Sequence, residues 1–238
     1  MGKKHSGGEA SKMIRVHVIC EGQTEEMFIN EALSKLLAPM DIYLYPSMIG
    51  KPGHKGGNVC FQRLLTDLRV RLLDDHEAYS TTFFDFYGLP TNFPGKDAAR
   101  QKNNIAEKSA CLLDALSEAL KAKLGASPLR RFIPYVQMHE FEGLLFSDVD
   151  ALARGINQNS LRHSFKAIRD QFNSPEEIND SPSTAPSKRI GALFPAYDKP
   201  LHGSLATLET GLDAIRRECA LFDGWVKQLE ALAPQKNR

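Results

Sequence analysis

The stretch IRVHVICEGQTEEMF, residues 14–28, decides the fold. Its first seven residues are β-branched or apolar at nearly every position, the composition of a buried strand. Glu21-Gly22 then breaks the run, and a helical pattern follows through Leu37. Thr24 is placed to cap that helix, with acidic residues in its first turn. A buried strand running straight into a helix is the opening of an α/β unit.

The same alternation continues outward. Residues 41–50 (DIYLYPSMIG) read as a second strand and residues 51–58 (KPGHKGGN) as a Gly/Lys loop. Residues 60–75 place Phe61, Leu64, Leu65, Leu68 and Leu72 at helical spacing. A third strand spans 79–86 (YSTTFFDF), a loop rich in breakers spans 88–97, and a long helix spans 103–124. RFIPYVQM, 131–138, reads as a fourth strand in which Pro134 favours an edge or a bulge. A short helix runs from Glu140 to Phe146. Strand and helix thus alternate four times over residues 14–148, which predicts a mainly parallel sheet flanked by helices. The remainder reads as helical, over 149–154, 159–172, 187–194, 209–219 and 221–232. The polar Pro/Ser stretch 173–187 interrupts it as either a flexible loop or a lid. Residues 1–12 have no apolar periodicity and read as a disordered tail.

The 238 residues suffice for one domain, or one domain with a sizeable appendage. Lysine and arginine number 30 against 29 acidic residues, so bulk charge gives no argument for a nucleic-acid partner. Any such surface must be a local patch. Cys20, Cys60, Cys111 and Cys219 are far apart in sequence and match neither a zinc knuckle nor a disulfide framework. This points to a reducing, cytoplasmic compartment. No apolar run reaches the length of a membrane span, and no signal peptide is visible.

In parallel α/β sheets ligands bind beyond the carboxyl ends of the strands. Acids stand there after three of them: Glu21 and Glu25 after the first, Asp85 at the end of the third, and Glu140 and Glu142 beside His139 after the fourth. Clustered carboxylates repel and need a cation, and oxygen ligands suit Mg²⁺ or Mn²⁺. The alternatives are plain ones. A Glu in a first helical turn can simply serve the helix dipole, and His139 can be a satisfied structural histidine. Asp85, bracketed by aromatics, is harder to dismiss, because acids are seldom buried unpaired. Glu140 and Glu142, two apart, do not share a helical face, so only one is expected in a given metal sphere.

The glycines of residues 51–58 would let backbone amides approach a phosphate, with Lys51, His54 and Lys55 beside it. The loop lacks the ending of a Walker motif, which excludes that mode of nucleotide binding. A plain surface loop is the alternative. Lys188 and Lys199 are candidates to stabilise charge on a phosphorus transition state, against the alternative of solvated surface lysines. Leu212, Ile215, Cys219, Phe222, Trp225, Val226 and Leu229 form an apolar stripe read as core, part of it available to a partner.

VICEGQTEEMF resembles the opening motif of Toprim domains, in the form seen in the overcoming-lysogenisation-defect (OLD) nucleases. Six ordered blocks carry a wider resemblance: VICEGQTEE, LYPSMIGKPGHKGGNV, TTFFDFYGLP, PYVQMHEFEGLLFSD, PSKRIGALFPAYDKPLHG and CALFDGWVKQLEAL. Together they are similar to one bacterial Toprim-like family of unknown function. The resemblance implies a Toprim-like α/β domain over 13–148, a helical C-terminal region over 149–238, and metal-dependent cleavage of nucleic-acid phosphodiesters. It matches Glu21 to the first Glu, Asp85 to the first Asp of an Asp-x-Asp, and Glu25 to an additional Glu. It matches Glu140 or Glu142 to the acid after the next strand. The second Asp is Tyr87 here, and a phenol is a poor Mg²⁺ ligand. Either the His-Glu-Phe-Glu block holds a second metal, or one metal binds, or the isolated chain is inactive. The resemblance also implies a separately encoded ABC/AAA-type ATPase partner in phage defence.

Two functions therefore stand as expectations. One is a Mg²⁺- or Mn²⁺-dependent nuclease with Glu21, Asp85, Glu140, Lys188 and Lys199 in the chemistry and Glu21, Glu25, Asp85, Glu140 and Glu142 on metal. The other is a non-catalytic module that binds an ATPase or nucleic acid.

Overall fold

A computed structural model describes residues 13–50, 56–178, 181 and 183–234. The expected tail, residues 1–12, and the loop residues Lys51, His54 and Lys55 lie outside them. The strands are β1 (Ile14–Cys20), β2 (Ile42–Met48), β3 (Tyr79–Asp85), β4 (Phe132–Ile133) and β5 (Val136–Gln137). The helices before the fourth strand are α1 (Gln23–Phe28), α2 (Ser34–Leu37), α3 (Phe61–Leu73), α4 (Lys96–Arg100), α5 (Ile105–Leu124) and α6 (Ala126–Leu129). After β5 come α7 (Glu142–Leu145), α8 (Val149–Gly155), α9 (Arg162–Arg169), α10 (Pro186–Leu193), α11 (Ser204–Thr210), α12 (Leu212–Glu218) and α13 (Ala220–Glu230). A π-helical turn, Ile29–Leu33, joins α1 to α2 without interrupting the helix.

The sheet is parallel throughout, in the order β2-β1-β3-β4, with β5 also on β3. All carboxyl ends therefore face the same edge, and Asp85 lies level with Gln137. The fourth strand is cut in two where Pro134 offers no amide to the ladder. Two hydroxyls bridge the cut: Thr81 donates to Ile133 O, and Thr82 donates to Tyr135 O at 2.8 Å and accepts from Tyr135 N at 3.0 Å.

Successive strand residues point to opposite faces. Val16, Val18, Cys20 and Phe83 enter one apolar cluster, and Ile19 and Phe84 enter the other. α3 and α5 cover the second face through Leu64, Leu68, Leu72, Leu112, Leu116 and Leu120. The first face packs on Phe28, Ile29 and Leu33 and on the C-terminal Ile215, Phe222, Trp225, Val226 and Leu229. Trp225 stacks on Tyr135 with centroids 4.5 Å apart, and its indole donates to Thr81 Oγ1 at 2.9 Å. The apolar stripe of the last helices is thus core, as expected. No helix among the described residues is long and apolar enough to cross a membrane.

Two local expectations are corrected. Thr24 is not the cap of the first helix. Gly22 holds that position in extended conformation, without a capping side chain, and Thr24 is buried as the second helical residue. Starting the helix at Gln23 is what turns Glu25 inward. The described part of 173–187 is tied down rather than loose. Ser174 caps a single turn over Pro175–Glu177, and the Glu176 carboxylate is fully buried. It accepts from Leu221 N at 2.9 Å and Phe222 N at 3.0 Å, capping α13 from a distant segment where Cys219 supplies no cap of its own.

Burial pushes the Glu176 carboxyl up to about 7, partly offset by these two amides. The folded state then binds this proton more tightly than the unfolded chain, so the group's contribution to stability falls as pH rises from the ordinary carboxylate range to about 7. Glu176→Gln should flatten that part of the stability–pH profile. Glu176→Ala, which leaves two buried amides without acceptors, should cost about 1–3 kcal/mol in denaturant unfolding.

Candidate functional site

The carboxyl edge of the sheet gathers acids from β1, β3 and the segment after β5. The Glu21 amide extends the ladder by donating to Phe83 O at 3.1 Å. Its side chain crosses to β3, where Oε2 accepts from Asp85 N at 3.1 Å. Asp85 is buried, and its Oδ1 accepts from Phe141 N at 2.8 Å. That contact depends on a sharp turn after β5. His139 is buried in a left-handed conformation, φ 68°, and its carbonyl accepts from Tyr87 N at 2.9 Å. A non-glycine residue held there marks a backbone over-determined by its surroundings.

Lys199 completes the site from a distant part of the chain. It opens a five-residue turn, Lys199–Gly203, that Asp198 caps by accepting from Leu201 N at 2.9 Å. Its ammonium lies 3.4 Å from Glu25 Oε1, 3.3 Å from Asp85 Oδ2 and 3.2 Å from Glu142 Oε2. These carboxylates come from α1, β3 and α7. The Lys199–Glu142 contact is the shortest of the three, and Oε1 of the fully buried Glu142 lacks a hydrogen-bond donor.

The electrostatics follow from burial. Desolvation pushes the Asp85 carboxyl well above the usual range, against the pull of Lys199, and Glu25, Glu21 and Glu142 add to the rise. Glu142 moves up for the same first reason. Glu21 is raised by burial and by Glu25 and Glu140, with its hydrogen bond from Asp85 opposing. For Lys199 burial works against the charge, but Asp85, Glu142 and Glu25 outweigh it and push the ammonium well up.

The structure therefore brings together Glu21, Glu25, Asp85, Glu142 and Lys199. Glu140 diverges from Glu142, as two-residue spacing requires, and its Oε2 accepts from Ser187 N at 2.9 Å. Lys188 is exposed on α10, away from these contacts. Tyr87 is 37% exposed. The residues flanking 51–55 are anchored next to Glu21: Gly57 N donates to Glu21 O at 2.9 Å, and Gly56 N to Ile49 O at 2.9 Å.

Several contributors escaped the sequence reading. Arg63 of α3 donates to Gly57 O at 2.7 Å and to Ile49 O at 3.1 Å, and Asp67 accepts from Gly50 N at 2.9 Å, so one helix clamps both ends of the loop. Lys96, inside a loop read only as breakers, is buried. It donates to Phe86 O and lies 3.5 Å over the Phe86 ring. Burial first, then Arg100, lower it to about 8, while the charge of Glu21 holds it up. Its only sequence signal is a lysine directly after Pro-Gly.

The chain belongs to the family described as "Domain of unknown function (DUF4276)", whose model matches residues 20–230. A comparison with curated proteins finds no match. Among solved structures, the C-terminal region of the Burkholderia pseudomallei OLD protein is similar at 14% identity, over 92% of this chain and 98% of that one, with a TM-score of 0.48. What the site can do follows from its own residues.

Gly88 tests the geometry of Glu21, because a Cβ there would lie 2.6 Å from Glu21 Oε1. The clash is with the end of a side chain, so Gly88→Ala should cost less than about 1 kcal/mol in thermal unfolding. The same change should displace the carboxylate and release the Asp85 amide, visible as a large shift of its NMR resonance and faster hydrogen exchange. An unmoved Asp85 amide would contradict the packing described.

Proposed function

We propose that this chain is a Toprim-like, divalent-metal-dependent nuclease acting on nucleic-acid phosphodiesters. The single observation that carries the reading is Glu142: a fully buried carboxylate whose Oε1 lacks a donor and whose Oε2 shares one lysine with two other buried acids. Three buried acids sharing a single lysine are not held in this state for stability, since the desolvation of buried charges can exceed what one ion pair returns. Four oxygen-bearing side chains at one sheet edge are the donor chemistry of Mg²⁺ or Mn²⁺. As they stand, no three acidic, histidine or cysteine groups among the described residues converge closely enough to hold an ion, and the Lys199 ammonium lies between them.

Glu25, Asp85 and Glu142 would hold the metal, with Glu21 beside them. When bound, it would supply Lewis acidity toward the scissile phosphate. Glu21, raised by burial and fixed by the Asp85 amide, is suited to move a proton at the reacting oxygen. Lys199 brings positive charge to the phosphate, and Lys51, His54 and Lys55 are proposed to contact the backbone of the strand. The bond from Gly57 N to Glu21 O supports that placement. Glu140, bonded to α10, is proposed to support the block rather than to bind metal, and exposed Lys188 is left to nucleic-acid contact. The ATPase partner, the phage-defence setting and the cytoplasmic location remain part of the proposal and rest on the sequence resemblance and cysteine usage. Tyr87, where a second Asp is expected, favours the second reading of a non-catalytic binding module.

The two readings separate in a cleavage assay with Mn²⁺ or Mg²⁺, with and without a candidate ATPase. We expect weak or no cleavage by the lone chain and metal-dependent cleavage with the partner. Glu21→Gln should lower the rate at least about 100-fold while leaving complex formation intact. Mn²⁺ should raise the melting temperature of the wild type, and Asp85→Ala should remove that increment. Cleavage by Glu21→Gln at the wild-type rate would leave the binding-module reading in place.

A further inference from the structure

We infer that Lys199 is a built-in counter-ion that a divalent metal must displace, so that metal affinity is set by competition with this one side chain. The inference rests on the metal-dependent reading above and concerns the state of the site before metal arrives.

The geometry supports displacement rather than coexistence. The ammonium stands between three carboxylates, 3.2–3.4 Å from one oxygen of each, so the acids would have to close on a shared ion after it leaves. A second cation within a few ångströms of it would meet strong repulsion in a buried site. Lys199 is also a poor match for its partners. A strong ammonium–carboxylate hydrogen bond is about 2.7–2.9 Å long, and all three contacts here are longer. Glu142 Oε1 lacks a hydrogen-bond donor. Three buried acids share one positive charge, and a divalent ion would favour their ionised forms more strongly.

An exit route is present. The Lys199 side chain is 35% exposed, whereas those of Glu25, Asp85 and Glu142 are 3%, 8% and 0% exposed. The stem of the lysine therefore opens to solvent, while its ammonium lies among the buried acids. The backbone of its turn is fixed independently, by Asp198 on Leu201 N and by His202 Nδ1 accepting from Asp198 N at 2.8 Å. Rotation about the lysine side-chain bonds can move the charge outward while the turn stays in place. Lys96 cannot serve instead, since its ammonium is engaged by Phe86 O and the Phe86 ring. Loading of metal would thus release Lys199 toward an arriving phosphate, linking metal occupancy to the placement of that charge.

The test uses the full chain with Mn²⁺ alone as the probe. Lys199→Met keeps length and removes charge. Metal-free Lys199→Met should melt below wild type, yet bind Mn²⁺ at least tenfold more tightly by calorimetry, with a larger Mn²⁺-induced rise in melting temperature. Lys199→Arg, which keeps the charge, should bind Mn²⁺ no more tightly than wild type. If Lys199→Met unfolds without metal, recovery of the fold on adding Mn²⁺ supports displacement, and failure to recover it overturns it. Equal or weaker Mn²⁺ binding by a folded Lys199→Met also overturns it, while wild-type binding leaves the metal reading intact. A wild type that binds no Mn²⁺ overturns both.

Discussion

Water solvates a carboxylate far better than a protein interior does, and a buried acid must find a cation, a set of donors or a proton. Three carboxylates at the carboxyl edge of this sheet meet that requirement through one ammonium, Lys199. Each acid arrives on a different element, so the positions of α1, β3 and α7 relative to one another are tied to this shared charge. Asp85 is the most connected of them. It receives Phe141 N on one oxygen and Lys199 on the other, while its own amide fixes Glu21.

This arrangement explains why the C-terminal helices pack where they do. Lys199 reaches Asp85 from 114 residues away in sequence. Its turn is carried by helices whose apolar sides join the core of the first sheet face, through Ala206, Ile215, Phe222 and Trp225. Glu176 capping α13 and Trp225 bonding Thr81 are polar fastenings on that same packing. A cation delivered from so far along the chain is set in place only by a core built from both halves.

The site also constrains the backbone around it. Gly88 leaves room for the Glu21 carboxylate, which fills the space of a Cβ, and Gly22 has the Glu25 carboxylate 3.2 Å from the same position. His139 takes a left-handed conformation so that Phe141 N can turn back to Asp85. Strain, tight glycines and an unsatisfied carboxylate oxygen concentrate at one edge of the sheet, the pattern expected where function overrides stability.

Much of this was legible in the linear sequence, because its signals are local. The β-branched run at 14–20, the alternation of strand and helix, and the break at Pro134 depend on neighbours in the chain, so periodicity and backbone chemistry determined the parallel sheet. Once strands run parallel, their carboxyl ends share an edge, and the pairing of β1 with β3, which only the fold decides, places Glu21 beside Asp85. The choices among equivalents were not legible. Spacing says that Glu140 and Glu142 diverge, but only packing turned Glu142 to Lys199 and Glu140 to Ser187. Lys188 and Lys199 look alike in sequence, and Lys96 looks like part of a turn. Thr24 looks like a cap, yet the helix starts earlier and buries it. Each of these outcomes depends on which distant surface a side chain meets, and that is decided by how the two faces of the sheet fill. Tertiary structure therefore chose the lysine that balances the acids, because a buried charge is settled by its neighbours in space and not by those in sequence.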